Sequence, residues 1–390
     1  MLTIFNSVKM LRKIEKVMTG EGHSRVFSFG SFFFGLSLIY GGIVKLREIF
    51  YKKGIFKSEK LPGLVISVGN LTVGGTGKTP LTIYVAQLVK RLGYKVAVIS
   101  RGYKGAAEKT GGIVSDGQTI LMEPEMAGDE PFMMATKLKS IPVVVGKNRV
   151  KVGRLAVKNF NPDVLVLDDA FQHLKLIRDI DLVLLDSHRP FGNSHLIPRG
   201  TLREPISSLG RGDAFVLTRS DSVPGKVMAT SLAMLKGLAR GRPVFKSLHV
   251  PYIYKVIKGQ SVSFQSASPG SFTYDPGFLK GRRVFAFSGL ASNNNFQSTV
   301  EDLQCVLTGF SGFPDHHQYS ERDLGSLLQL SQELKADFIL TSEKDYSRIF
   351  NRITWPIDLV VIGINISFED DEGIFNAFIE RRLAELIPPT

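Results

Sequence analysis

The chain has 390 residues, 43% hydrophobic and 22% charged, which excludes general disorder and suggests two domains with room for an appendage. A single cysteine, Cys305, excludes an intrachain disulfide framework and any zinc site built on several thiolates. The formal charge of +13 is uneven, with eleven Lys/Arg against four Asp/Glu in residues 1–60, and so points to a negatively charged surface met by the leader rather than a nucleic-acid groove.

Residues 26–44 (VFSFGSFFFGLSLIYGGIV) are nineteen consecutive uncharged residues, near the length a helix needs to cross the hydrocarbon core. Phe27, Phe29, Phe32, Phe33 and Phe34 could each gain about 1.5–3 kcal/mol on leaving water. Gly30, Gly35, Gly41 and Gly42 weaken the segment as a helix. Basic residues flank both sides: Lys9, Arg12, Lys13, Lys16 and Arg25 before, Lys45, Arg47, Lys52 and Lys53 after. A spanning helix carries a bias to one side, so this pattern favours a segment lying in one leaflet. Residues 3–18 agree. Ile4, Val8, Leu11 and Met18 share a helical face and the lysines turn away, which suits an anionic membrane surface. The plainer alternative is a helix that packs on the core or on a second copy. A cleaved signal peptide does not fit, because the apolar run starts late and no small-x-small site follows.

After Pro62 short apolar runs alternate with helical stretches. Expected strands are Leu64–Val68, Val96–Ile99, Pro142–Val145, Val164–Leu167, Leu182–Leu185 and Ala214–Leu217. They are continuously apolar, as parallel strands covered on both faces should be. Helices are expected at Thr79–Leu92 and Asn148–Lys158. A junction is expected near Gly241–Pro243, followed by strands at Val284–Phe287, Phe338–Leu340 and Leu359–Ile362 and helices near Asn293–Leu307 and Glu372–Leu386. The fold class is α/β: a doubly wound, mostly parallel sheet of the P-loop NTPase type, a second smaller α/β domain, and an N-terminal membrane-associated helix. The expected division is a leader at 1–57, a nucleotide-binding domain at 58–242 and a second α/β domain at 243–390.

The strongest local signal is Val68-Gly69-Asn70-Leu71-Thr72-Val73-Gly74-Gly75-Thr76-Gly77-Lys78-Thr79-Pro80, between a buried strand and a helix. Glycines let backbone N–H groups converge on phosphate oxygens, and the helix N-terminus favours negative charge. Gly74, Gly75, Thr76 and Gly77 would form the cradle, Lys78 would reach the β- and γ-phosphates, and Thr79 would hold Mg²⁺. Thr72 stands where the general pattern has glycine. A phosphate loop does not by itself separate kinase, NTPase and GTP-dependent switch. Thr218-Arg219-Ser220-Asp221 loosely resembles a guanine reader, but it reads better as a strand-end turn with Asp221 capping a helix.

Val164-Leu165-Val166-Leu167-Asp168-Asp169 places two carboxylates at a strand end, where a Walker-B acid holds Mg²⁺. Adjacent strand residues face opposite sides, so the two should not share one role unless the strand has ended. Gly128-Asp129-Glu130-Pro131 reads on its own physics as a helix start, with Asp129 as N-cap. Phe313-Pro314-Asp315-His316-His317-Gln318-Tyr319 is a histidine pair in a turn, with Ser320 and Asp323 as a capping box. Arg199-Gly200-Thr201-Leu202-Arg203-Glu204-Pro205 offers two arginines and a glutamate for phosphate or metal.

Taken in order, these motifs resemble the tetraacyldisaccharide 4'-kinase (lipid A 4'-kinase) family of Gram-negative bacteria. The matching stretches are LSLIYGGIVKLR (36–47), VISVGNLTVGGTGKTP (65–80), ISRGYKG (99–105), GDEP (128–131), GKNR (146–149), DDAFQH (168–173), RPFGNSHLIPRGTLREP (189–205), FSGLASNNNF (287–296), FPDHHQY (313–319) and TSEKD (341–345). Ser194 and Thr201 depart from the pattern, standing where glycine and proline are expected.

The resemblance implies transfer of the ATP γ-phosphoryl to the 4'-hydroxyl of a tetraacylated glucosamine disaccharide 1-phosphate. It implies ATP and Mg²⁺ as cofactors, and a cleft between two α/β units at the cytoplasmic face of the inner membrane. It places Lys78 and Thr79 at the phosphates and Mg²⁺, and makes Asp129 and His316 an acid/base pair. It also sets Asp168, Asp169 and Glu204 near the metal, and Arg149 and Arg203 near phosphate charge. The implied partners are the lipid substrate and an anionic membrane surface, without nucleic acid. The oligomeric state is not implied.

Overall fold

A computed structural model describes residues 29–221, 223–259, 276–350 and 352–387. The amphipathic stretch expected at 3–18 lies outside these residues. Among the described residues the first sheet has eight strands: β1 Leu64–Asn70, β2 Val96–Ser100, β3 Gly112–Ser115, β4 Val143–Val145, β5 Val164–Asp168, β6 Ile180–Asp186, β7 Ala214–Thr218 and β8 Val244–Lys246. Their order is β3-β4-β2-β5-β1-β6-β7-β8, and only the β3–β4 pair is antiparallel.

The central strands are buried along their whole length because both faces are covered. Alternate residues feed opposite cores, as the pleat requires. Ile66, Val68, Val164 and Val166 pack with Leu81, Val85 and Leu88 of helix Lys78–Arg91. Val65, Leu165 and Leu167 pack with Val150, Val152 and Ala156 of helix Arg149–Phe160.

The second sheet has β9 Leu248–Ile257, β10 Arg283–Ser288, β11 Val306–Gly312, β12 Phe338–Ser342 and β13 Leu359–Ser367, in the order β11-β10-β12-β13-β9. Among the described strands only β9 pairs antiparallel. Two expectations are corrected here. The helix expected to reach Leu307 ends at Asp302, and the residues after it form β11. The turn at Gly241–Pro243 is not the crossing between sheets, because β8 still pairs with β7; the chain changes sheet at Ser247.

The closing helix Glu372–Leu386 returns to the first sheet. Its Phe375, Phe378, Ile379 and Leu383 join the core around helix Lys78–Arg91, with Phe368 stacked on Phe375 at 4.1 Å.

Helix Phe29–Lys52 lies along the first unit with one face inward. Ser37 Oγ donates to the Leu196 carbonyl at 2.9 Å, and Tyr40 Oη donates to the Arg203 carbonyl at 2.8 Å. Arg47 donates to the Gln172 carbonyl at 2.9 Å, and Glu48 pairs with Arg211 at 3.3 Å. The outer face is apolar, with Phe32, Leu38, Ile39 and Ile43 each more than 60% exposed. Among the described residues no helix is long and apolar enough to cross a membrane.

Candidate active site

The loop between β1 and helix Lys78–Arg91 is pinned from within: Asn70 Nδ2 donates to Thr76 Oγ1 at 2.8 Å. Gly77 caps the helix with a φ of 84°, and a side chain there would strike the imidazole of His249 on β9. Both facts call for glycine. The helix start and Lys78 together make an anion site. Lys78 Nζ lies 3.5 Å from the Gly74 carbonyl and 3.9 Å from Asp169 Oδ1, and Thr79 sits buried in the first turn.

Asp168 ends β5, and Asp169 has a φ of 49°, so the strand has ended by the second carboxylate. Asp168 turns inward to accept from Thr82 Oγ1 at 3.1 Å and Ser100 Oγ at 3.3 Å. Burial, then the charges of Glu130 and Asp169, push its carboxyl up to about 7. Asp169 turns to the phosphate loop, where Arg203 grips it with two nitrogens at 2.8 and 3.0 Å. Burial acts against ionisation there, but Lys78 and Arg203 outweigh it and hold Asp169 below the ordinary carboxylate range.

Arg149 is buried under this pair, donating to the Gly146 carbonyl at 3.2 Å and the Asp168 carbonyl at 3.4 Å. Burial lowers its pKa to about 10. Glu204 lines the same cavity as Asp169, but its carboxylate is engaged elsewhere. It pairs with Arg211, which also holds Glu48. Among the described residues no three His, Cys, Asp or Glu side chains converge as a metal cage.

Asp129 and His316 come from different sheets' connections and meet: His316 Nδ1 lies 3.1 Å from Asp129 Oδ2. Asp129 is not a cap. Gly128 takes that place with a φ of 89°, and the Asp129 carboxylate, at the first helical position of Asp129–Lys137, points across to the second sheet. There Arg348 also reaches it, through Nε at 2.8 Å and NH2 at 2.7 Å. Burial pushes the Asp129 carboxyl up, but the His316 hydrogen bond and Arg348 outweigh it, leaving it below the ordinary value. His316 has a φ of 60°, and its ring meets the Tyr103 edge at 5.2 Å. His317 turns away to Asp323 at 3.1 Å, within the capping box expected at Ser320.

Sequence reasoning gave no role to Arg348 or to Lys344, whose Nζ lies 3.3 Å from His316 Nε2. The available signal was their spacing: Lys344, inside TSEKD, and Arg348, three residues beyond it, are four apart and share a helix face. The Thr218–Asp221 turn is no base reader in this arrangement. Arg219 bonds to Asp186 and to the Gly75 carbonyl, and the next helix begins after Pro224, so Asp221 does not cap it.

A cavity of about 500 Å³ opens between helix Phe29–Lys52 and these carboxylates. Arg47, Arg101, Lys147, Arg149 and Arg203 line it together with Asp169 and Glu204, so the excess charge is positive and suits an anionic guest.

The family model described as tetraacyldisaccharide-1-P 4'-kinase matches residues 30–384. A tetraacyldisaccharide 4'-kinase of Desulfatibacillum aliphaticivorans is 40% identical over 375 residues, covering 95% of this chain and 98% of the relative. That of Syntrophus aciditrophicus is 42% identical over 316 residues, covering 79% and 81%. The solved structure of "apo" form LpxK from Aquifex aeolicus in complex with ATP superposes with a TM-score of 0.69 at 32% identity, covering 91% of this chain and all of that one.

Proposed function

The chain belongs to the tetraacyldisaccharide-1-P 4'-kinase family, and from that membership we infer how its residues divide the reaction. It is an ATP-dependent phosphotransferase that moves the γ-phosphoryl of ATP to the 4'-hydroxyl of a tetraacyldisaccharide 1-phosphate in lipid A biosynthesis. The observation that carries the assignment of roles is the 3.1 Å contact between Asp129 and His316 across the two units.

In our reading the amides of residues 74–79 and Lys78 hold the phosphates. Thr79, with Asp168 or Asp169, offers the hard oxygen donors that Mg²⁺ takes. The fit rests on the chemistry of the donor set: two adjacent carboxyl groups at the strand end, with Asp169 3.9 Å from Lys78 of the phosphate loop. When bound, Mg²⁺ neutralises phosphate oxygens. Arg149 and Arg203 add fixed positive charge beside them.

Phosphoryl transfer passes through a loose transition state, so positioning dominates and the proton leaves the acceptor late. Both His316 and Arg348 bond Oδ2 of Asp129, which leaves Oδ1 to receive the hydroxyl proton. His316 donates through Nδ1 and stabilises the carboxylate in place. Closure of the second sheet's unit over the first would exclude water and suppress ATP hydrolysis.

The basic cavity takes the disaccharide and its 1-phosphate. A tetraacylated acceptor leaves a bilayer at a cost of about 0.8 kcal/mol per CH₂, so the enzyme works at the membrane. Its apolar outer helix face and basic leader dock on an anionic surface, placed at the cytoplasmic face of the inner membrane, where ATP is. In an assay with labelled ATP and the disaccharide 1-phosphate, Asp129→Ala and His316→Ala should each lose about 10²–10⁴-fold in kcat. ATP binding should survive. Near-wild-type turnover by either variant would remove that residue from the pair, and a preference for GTP would point to a switch instead.

A further inference from the structure

Helix Glu343–Ile349 belongs to the second sheet, yet it makes three ion pairs to helix Asp129–Lys137 of the first unit. Glu343 meets Lys137 at 2.5 Å, Lys344 meets Glu130 at 3.2 Å and Arg348 meets Asp129 at 2.7 Å. The first holds the helices together at a distance from the chemistry. The other two lie against the proton-handling pair itself.

We propose that Arg348 and Lys344 are its positioning residues: Arg348 holds Asp129 as an oriented carboxylate, and Lys344 holds the His316 ring with its proton on Nδ1. The inference rests on Asp129 and His316 acting as the acid/base pair.

The Arg348 side chain is 1% exposed and fixed from behind by its own sheet. Its NH1 donates to the Gly289 carbonyl at 3.0 Å and to Asp345 Oδ1 at 2.9 Å. Asp345 is in turn held by Ser342 Oγ at 2.6 Å, Tyr319 Oη at 2.9 Å and the Gly289 amide at 3.0 Å. The guanidinium is therefore a rigid fork to which Asp129 must come. Both Nε and NH2 engage Oδ2, which fixes that oxygen and leaves Oδ1 to the acceptor.

In this proposal Lys344 selects the tautomer. An ammonium can only donate, so at 3.3 Å it requires a lone pair on His316 Nε2. A neutral ring then carries its proton on Nδ1, directed at Asp129 Oδ2. Arg348 NH2 also lies 3.5 Å from Nδ1, too far to displace its 2.7 Å contact with Asp129. The other charged and titratable groups here are Glu130 beside Asp129, Asp315 at 3.8 Å from His316 Nε2, and Tyr103 against the ring. Arg348 thus makes its short contacts to Asp129, and Lys344 meets the far nitrogen of His316.

The test uses the full chain with labelled ATP and the disaccharide 1-phosphate, following kcat, the KM for ATP and the pH profile of kcat/KM. Arg348→Gln should lower kcat at least tenfold with the KM for ATP within about twofold, and move the acid limb up by about one pH unit, since Asp129 loses its cation. Arg348→Lys should return the limb but not all of kcat, because the charge is restored without the fork. Lys344→Met should lower kcat at least tenfold at unchanged KM, and it carries the test should Arg348→Gln not fold. In an Asp129→Asn background Arg348→Gln should cost nothing more. Equal losses in both backgrounds with an unmoved acid limb would reduce Arg348 to a latch between units and overturn the proposal. An inactive Asp129→Asn beside Arg348 and Lys344 variants of wild-type turnover would overturn it while sparing the acid/base reading; an active Asp129→Asn would sink both.

Discussion

Asp168 and Asp169 show how little backbone separates two electrostatic roles. A single left-handed residue turns one carboxylate into the core, where burial raises its pKa, and the other toward Lys78 and Arg203, which lower it. His249 is a third case of environment deciding charge. Its ring lies against Gly77, its Nε2 has no hydrogen-bond partner among the described residues, and burial, followed by Arg219, pushes its pKa down to about 4. His173 is pushed down to about 4 as well, by burial and then Arg149. Below an unfolded value of about 6.5 the unfolded chain binds protons that these folded rings refuse. Stability is therefore lost as pH falls from about 6.5 toward 4, with a slope approaching about 1.4 kcal/mol per pH unit for each ring. His249→Asn should flatten the decline of the denaturation midpoint over that window by up to one ring's share. A slope identical to wild type would show that His249 titrates normally in the folded chain.

At the scale of elements, legibility followed burial. β1, β2, β5, β6 and β7 were readable because strands covered on both faces are continuously apolar. β9 hides its strand character because it is an edge: Pro251 and Lys255 are tolerated where one side of the ladder faces away from the sheet. β11 is an edge as well, and its Gly309 and Gly312 mask it. The phosphate loop and the Asp168–Asp169 strand end were legible because their chemistry is local. Asp129 was misread as a cap because its partners lie 187 and 219 positions away, beyond any local pattern. The same applies to the docking of helices Asp129–Lys137 and Glu343–Ile349. Glu343 is buried there, its carboxyl raised by burial and relieved by Lys137 and by Tyr252 Oη at 2.6 Å. Lys137→Met would leave that charge without its cation, at a cost of about 3 kcal/mol in denaturant unfolding. The deficit should shrink as pH falls, because a protonated Glu343 needs no cation. A deficit independent of pH would assign the loss to packing instead.

At the scale of the whole molecule, the proposed membrane role gives helix Phe29–Lys52 two ends to serve, and its two faces allow them to be separated. The inner face supports the site through the Arg203 and Gln172 carbonyls and through Arg211, so removal of residues 1–57 should lower turnover as well as membrane sedimentation. The outer face touches none of these groups. Full burial of a large apolar side chain is worth about 1.5–3 kcal/mol, and Leu38, Ile39 and Ile43 are each more than 60% exposed, so about 1 kcal/mol apiece is available to a bilayer. Changing all three to serine should therefore weaken partition into anionic vesicles by about 100-fold, on the rule of tenfold per 1.4 kcal/mol. Turnover of a detergent-dispersed acceptor should stay near wild type, because the contacts of Ser37, Tyr40, Arg47 and Glu48 are untouched. Vesicle sedimentation measured beside that assay decides the matter. A triple variant that still sediments like wild type would transfer the anchoring role from this face to the residues before it, and one that loses turnover in detergent would show that the two faces are not independent.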